Sequence, residues 1–282
     1  MDTLKNVRKS WESFAEENPH WAVLTARDSG ETDAFYESGI HDVESVLKEG
    51  ETQQIEINKG AALDFGCGVG RLTFPLCAHF EKVVAADIST KMIELARAHE
   101  KCPTNASFYN VKDSKLSGLD RNSFDFVLSL IVLQHLPTKH AKSYIKAFMR
   151  VSRVNGLIVF QIPTARKKIE TGKSVFWADK PLTWDNPSFG KLCYRYVFRT
   201  IMWPRRRLRL PILSNELRYR LDCLWRKVTG KRIMLMNFLR IDQIKKIAKK
   251  NGCEIVAIKK DDRTGEGYTS NLFFIRKFQE SK

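Results

Sequence analysis

Three glycines at alternate positions, Gly66, Gly68 and Gly70, follow the short apolar run at 61–65, and Asp64 stands inside that run. A turn so bare at the carboxyl end of a strand lets a ligand reach the main chain without meeting a Cβ. It also opens a helix whose N–H groups face that ligand. Twenty-one residues after Gly66 comes Asp87, the offset at which an acid ending the next strand can grip both hydroxyls of a ribose. Glycine turn and acid together imply a nucleoside. A nicotinamide dinucleotide would want G-x-G-x-x-G, whereas here the third glycine comes one residue early and Arg71 takes the sixth position. Asp64 would also repel a pyrophosphate. The pattern suits a cationic ligand without phosphate, which describes the ammonium and sulfonium of S-adenosylmethionine.

The elements that must position these residues are legible around them. Short β-branched runs at 61–65, 82–87, 107–111, 124–130 and 156–162 alternate with amphipathic helical stretches, the pattern of a parallel sheet covered by helices. One helix opens at about Arg71, with Pro75 just past its first turn. A second follows a Ser89 N-cap with Met92, Leu95, Ala96 and His99 on one face. A third follows Thr138 with Ala141, Tyr144, Ile145 and Phe148 inward. The pattern resumes with a helix at 241–250, burying Ile241, Ile244, Ile247 and Ala248 and capped by Gly252. Runs at 254–260 and 270–277 then pair antiparallel. The expected fold is α/β: a doubly wound, mostly parallel, seven-stranded sheet, its core at 59–163 and 237–282. Residues 1–58 form a helical segment that could cover the cofactor, and residues 164–236 form a helical basic and aromatic insertion that serves as acceptor-site lid or docking surface.

At these residues the chain resembles the class I S-adenosylmethionine-dependent methyltransferases. LDFGCGVGRLT is similar to their first motif, VVAADIS to their second-strand acid and VKDSKL to the adenine-contacting segment. FDFVLSLIVLQHL is similar to the fourth strand with its adjoining segment, and VNGLIVFQIP to the fifth strand with its preceding turn. The resemblance runs through residues 55–163 and 238–277. It implies that Asp64, Gly66, Gly68 and Gly70, with Cys67 in the same turn, line the methionine part of the cofactor, and that Arg71 reaches its carboxylate. Asp87 would take the ribose diol and Ile88 would pack on the adenine. Asp113, with Ser114 alongside, would accept from the adenine amino group, and Ser129 and Leu130 would border the transferable methyl.

Methyl transfer from a sulfonium acts on an already activated carbon, so the protein chiefly aligns and desolvates the reactants. A general base is needed where the acceptor must lose a proton, and His135 is the candidate for that role. Behind it stand His20, His41 and Tyr36 of the N-terminal segment. Within the resembled superfamily, the place of an N/D-P-P-Y/F motif reads SLIV, and neither a Pro-Cys pair, a two-glutamate loop nor a magnesium ligand set can be assembled. No metal site is read. The acceptor that remains is an oxygen or nitrogen on a small molecule, glycan or lipid.

Composition bounds the partners. The 282 residues carry a formal charge of +16, and residues 164–236 hold eighteen Lys or Arg against five acids, together with four of the six Trp. An aromatic and cationic stretch of this kind fits an anionic membrane surface or anionic substrate. Nucleic acid fits less well, because no RNA-binding module is evident. Six scattered cysteines, no signal-peptide core and no apolar run of membrane-spanning length point to the cytoplasm, with peripheral membrane contact. Two other readings stay open: an RNA methyltransferase using the basic insertion, and a non-catalytic cofactor-binding regulatory subunit.

Overall fold

The computed structural model describes residues 3–24, 32–166, 236–264 and 267–279. The expected insertion lies outside the described residues from 167 to 235; residues 164–166 belong instead to the fifth strand. Among the described residues seven strands form one sheet: β1 (Ala61–Phe65), β2 (Lys82–Asp87), β3 (Ala106–Asn110), β4 (Phe124–Ser129), β5 (Ser152–Arg166), β6 (Cys253–Asp261) and β7 (Tyr268–Lys277). Their spatial order is β3-β2-β1-β4-β5-β7-β6. The first five run parallel, and β7 enters antiparallel between β5 and β6. The doubly wound sheet with a mixed edge is thus the fold that forms.

Burial explains the strand sequences. β1 and β4 are central, covered on both faces, so their apolar residues run on without alternating with polar ones. On one face, α6 (Thr138–Val151) and α7 (Ile241–Lys250) share a core cluster with Leu63, Phe65 and Phe160. On the other, α3 (Thr32–Thr52) and α4 (Thr73–Cys77) cluster with Ala62, Phe126 and Leu128. α6 buries Tyr144, Ile145 and Phe148 as its periodicity predicts, each contributing about 1.5–3 kcal/mol. The chain leaves β1 toward β2 and later returns to the other side of β1 as β4. The crevice outside the carboxyl ends of β1 and β4 is therefore the switch point where such sheets take ligands.

Four local expectations are corrected. α4 begins at Thr73, later than expected, because the glycine turn runs on through Gly70, whose φ of +94° no helix accepts. Pro75 therefore lies in the first turn, where its missing N–H is needed least. α5 (Thr90–Ala98) keeps its Ser89 cap, which accepts from Met92 N–H at 3.1 Å, but turns Met92, Ile93 and Ala96 inward. Small Cys67 and Ala85 leave room beneath Ile93. Leu95 is 38% exposed, and His99 packs beyond the helix against Tyr36 and Phe74. Thr138 is the first residue of α6, not its cap, because Pro137 occupies the cap position. Asn251 caps α7, and Gly252 takes φ +68° just after it.

Before the sheet, α1 (Thr3–Glu17), α2 (Pro19–Val23) and α3 account for most of the N-terminal segment. No helix among the described residues is long and apolar enough to cross a membrane. α3 is tied to the sheet by Asp42, which accepts from Arg71 Nη1 at 2.7 Å and from Arg263 Nη2 at 2.7 Å, joining the loop after β1 to the β6–β7 hairpin. Burial alone would raise the Asp42 carboxyl, but Arg263 and Arg71 outweigh it and hold the group below its ordinary 3.8. Its contribution is therefore full above that value and fades as pH falls through the lower folded one. Asp42→Asn leaves the Arg71 guanidinium, 3% exposed, without its counter-charge. It should cost about 3 kcal/mol at neutral pH, read from urea midpoints; an unchanged midpoint would show that the pair holds nothing.

Candidate active site

The turn after β1 is built on left-handed backbone: Gly66 has φ +81° and Gly68 φ +53°. Two further facts fix it in place. The N–H groups of Gly66 and Cys67 both donate to Ala86 O, at 2.7 and 3.1 Å, and Gly68 N–H donates to Asp87 Oδ2 at 2.9 Å. Asp87 Oδ1 accepts from Ser89 N–H at 2.8 Å. One carboxylate thus spans the glycine turn and the entry to α5, and each oxygen keeps a further lone pair. Burial pushes Asp87 up to about 6 despite these bonds.

Asp64 lies deeper. It is 1% exposed and accepts from Thr73 Oγ1 at 2.6 Å, and burial raises it to about 7 against the opposing pull of Thr73 and Arg71. A neighbouring cation would favour its ionised form.

The crevice beside Gly66, Gly68 and Asp87 is walled by Ile88 and Met92 after β2, by Leu130, Ile131 and Val132 after β4, and by Tyr144 of α6. The N-terminal helices lie over it: Trp11 of α1 and Val23 of α2 complete the lining. α1 is anchored at two points. Arg8 Nη2 donates to Val111 O at 2.6 Å. Glu12 caps α5, accepting from Thr90 N–H at 2.7 Å, Lys91 N–H at 3.1 Å and Ser89 Oγ at 2.9 Å. Burial would raise the Glu12 carboxyl, but these donors hold it below its ordinary value. A carboxylate there also complements the positive end of the α5 dipole.

Of the residues singled out from sequence, Gly66, Gly68, Asp87, Ile88 and Leu130 meet at the crevice. Others stand back from it. Cys67 turns its side chain into the cluster with Ala85 and Ile93, and burial holds its thiol far up. Arg71, expected at the methionine carboxylate, is committed to Asp42 and Ser38. Gly70 lies against Phe74. Asp113 accepts within its own turn, from Lys115 N–H at 2.7 Å, with half-exposed Ser114 beside it. Ser129 is fully buried, and its hydroxyl finds no partner among the described residues.

His135 ends a single 3₁₀ turn, Leu133–His135, 5% exposed, with Nε2 3.1 Å from Gln134 Nε2 and its ring edge-on to Trp11 at 5.6 Å. His20 packs on Phe35, burial lowering its pKa, and His41 is exposed. Tyr36 donates to Val69 O at 3.2 Å, and burial raises it to about 12. Sequence reasoning missed Trp11, Val23 and Val132 as site residues. Trp11 left a trace as one of two aromatic residues, with Phe14, in α1, and Val132 fell within the stretch after the fourth strand.

Comparison with known proteins agrees with this geometry. Residues 63–160 match the family described as a methyltransferase domain. The ubiquinone biosynthesis O-methyltransferase of Pelagibacter ubique (strain HTCC1062) is 30% identical over 109 residues, 39% of this chain and 43% of that protein. Its counterpart in Coxiella burnetii (strain Dugway 5J108-111) is 31% identical over 85 residues, 30% of this chain and 36% of that protein. The matched stretch thus spans less than half of either relative. In fold, the chain is similar to magnesium protoporphyrin IX methyltransferase from Synechocystis PCC 6803, solved with bound SAH. The TM-score is 0.56 at 17% identity, covering 97% of this chain and 99% of that one. A SAM-dependent methyltransferase from Anabaena variabilis ATCC 29413 gives 0.54 at 12% identity, covering 98% and 96%. Strand order, glycine turn and second-strand acid agree with these likenesses: residues 63–160 match a methyltransferase domain, and the chain shares the fold of the solved methyltransferases.

Proposed function

We propose that this chain transfers a methyl group from S-adenosylmethionine to an oxygen atom of a small-molecule, glycan or lipid-linked acceptor. The observation that carries the reading is the bare Gly66–Gly68 turn with the Asp87 carboxylate fixed beside it at the switch point. The choice of oxygen is supported by the names of the relatives.

The residues fit the cofactor. A Cβ on Gly66 would stand 2.2 Å from Val132 Cγ2, and one on Gly68 2.6 Å from Val23 Cγ2, so both positions are kept bare. Asp87 retains lone pairs for two hydroxyls, Ile88 and Met92 offer apolar faces to a base, and behind the turn lies Asp64, whose ionised form a bound cation would favour. When bound, S-adenosylmethionine supplies an activated methyl group on a sulfonium. On one side the crevice is bounded by the N-terminal helices, through Trp11 of α1 and Val23 of α2. Trp11 and the wall from Leu130 to Val132 then keep water from the bound donor. A hydroxyl acceptor must also lose a proton; His135, the base expected from sequence, stands behind Trp11 with Nε2 on Gln134 and does not line the crevice, so that proton is not assigned to it.

An anionic membrane surface is the partner we propose. Lys139 and Lys146 of α6 and Lys245, Lys246, Lys249 and Lys250 of α7 are exposed, while the apolar sides of both helices enter one cluster, so these lysines face away from the sheet on the same side. No aromatic residue is exposed on either helix to stack a nucleobase.

Four outcomes are expected. Titration calorimetry should show affinity for S-adenosylmethionine rising as pH increases through about 6, because the ionised Asp87 carboxylate accepts from hydroxyls at both oxygens and more strongly than the protonated acid; a flat profile would remove it from the ribose. Gly66→Ala should weaken that binding by about 100-fold or more and lower stability, since the new Cβ meets Val132 in a left-handed backbone. Labelled methyl should pass to hydroxylated and not to amino acceptors; transfer only to amines would sink the oxygen assignment. Liposomes containing phosphatidylglycerol should co-float the protein at low salt and release it at high salt, whereas neutral liposomes should not.

A further inference from the structure

Behind the crevice runs a hydrogen-bond chain whose direction is set at one end. Ile131 N–H lies 3.0 Å from Gln161 Oε1, and a backbone N–H can only donate, so this end of the Gln161 carboxamide is its oxygen. Gln161 Nε2 then faces Gln134 Oε1 at 3.2 Å, Thr264 Oγ1 at 2.7 Å and Ser270 Oγ at 2.5 Å. Two amide nitrogens repel, so Gln134 must turn its oxygen toward Gln161 and its Nε2 toward His135 Nε2. That ring nitrogen must therefore accept. Gln161 and Ser270 are at most 1% exposed, Gln134 3% and His135 5%, which leaves no bulk water to reverse the order.

We infer that Gln161 is a positioning residue for the proposed methyl-transfer site, holding the backbone of Ile131 and, through Gln134, fixing His135 as the neutral tautomer with its proton on Nδ1. Ile131 has φ +61°, a left-handed conformation that a β-branched residue keeps only where its surroundings impose it. Gln161 imposes it from one side. On the other, Val132 presses against the bare Cα of Gly66, so the carboxamide controls the wall that faces the glycine turn. His135 in turn supports Trp11 of α1, the residue that covers the crevice. The effect on donor binding rests on the function proposed above; the tautomer does not.

The test is long-range proton–nitrogen correlation on ¹⁵N-histidine protein without donor at neutral pH, with His135 assigned by its loss in His135→Asn. The expected spectrum shows a bare, pyridine-like Nε2 and a protonated Nδ1. Gln161→Leu, which frees Gln134 to rotate, should populate both tautomers, and Gln134→Glu, which sets a carboxylate against the ring, should move a proton onto Nε2. A protonated Nε2 in the unaltered protein overturns the inference whether or not either variant folds. So does a single wild-type tautomer in folded Gln161→Leu. With S-adenosylmethionine as probe, Gln161→Leu should bind about ten-fold more weakly, the loss expected when a buried N–H goes unpaired; equal affinity overturns the positioning of the wall. No binding by the unaltered protein would instead sink the donor reading, with the tautomer result intact.

Discussion

The two main-chain bonds of Asp87 are the constraint on which the site depends. By accepting from Gly68 N–H and Ser89 N–H, its carboxylate joins the turn after β1 to the start of α5 and fixes the opening between them. Neither element would hold that geometry alone: the turn is glycine with no side chains to pack, and a nine-residue helix is marginal without tertiary support. The acid we propose for the ribose is thus the acid that shapes the groove. Its burial raises the group to about 6, well above an exposed carboxylate.

The cover repeats the same economy of parts. Ser89 caps α5 through Met92 N–H and also donates to Glu12, so the helix that bears the site and the helix that closes it share one hydroxyl. Trp11, one residue before Glu12, is carried over the crevice by that anchor and comes to rest on His135. The cluster of Trp11, Phe14, Trp21 and Phe35 is small beside the two main cores, which places this segment toward the low-stability end of the molecule.

Much of the fold was legible because strand and helix periods are local. The runs at 61–65, 82–87 and 124–130 became β1, β2 and β4 nearly as read, and the face of Tyr144, Ile145 and Phe148 was correct because α6 has one dry side and no competing apolar stripe. α5 was harder. Its sequence offers Leu95 as readily as Ile93, and the choice fell to Cys67 and Ala85 on neighbouring strands, which no local pattern contains. Arg71 shows the same limit at the site. Its place beside the glycines suggested an anion, yet Asp42, 29 residues earlier, reaches it first.

By itself, then, the sequence determined the glycine turn, the second-strand acid, the alternation that makes a doubly wound sheet and the nature of the ligand these imply, because each follows from residue type and short spacing. Tertiary structure alone decided that Trp11 and Val23 close the crevice, that Ile131 takes a left-handed backbone, and that Gln161 and Gln134 set the face His135 presents. Those outcomes depend on contacts between residues up to 124 positions apart, as for Trp11 and His135. Such contacts are chosen by the free energy of the whole packed core and leave no mark in any window of neighbouring residues.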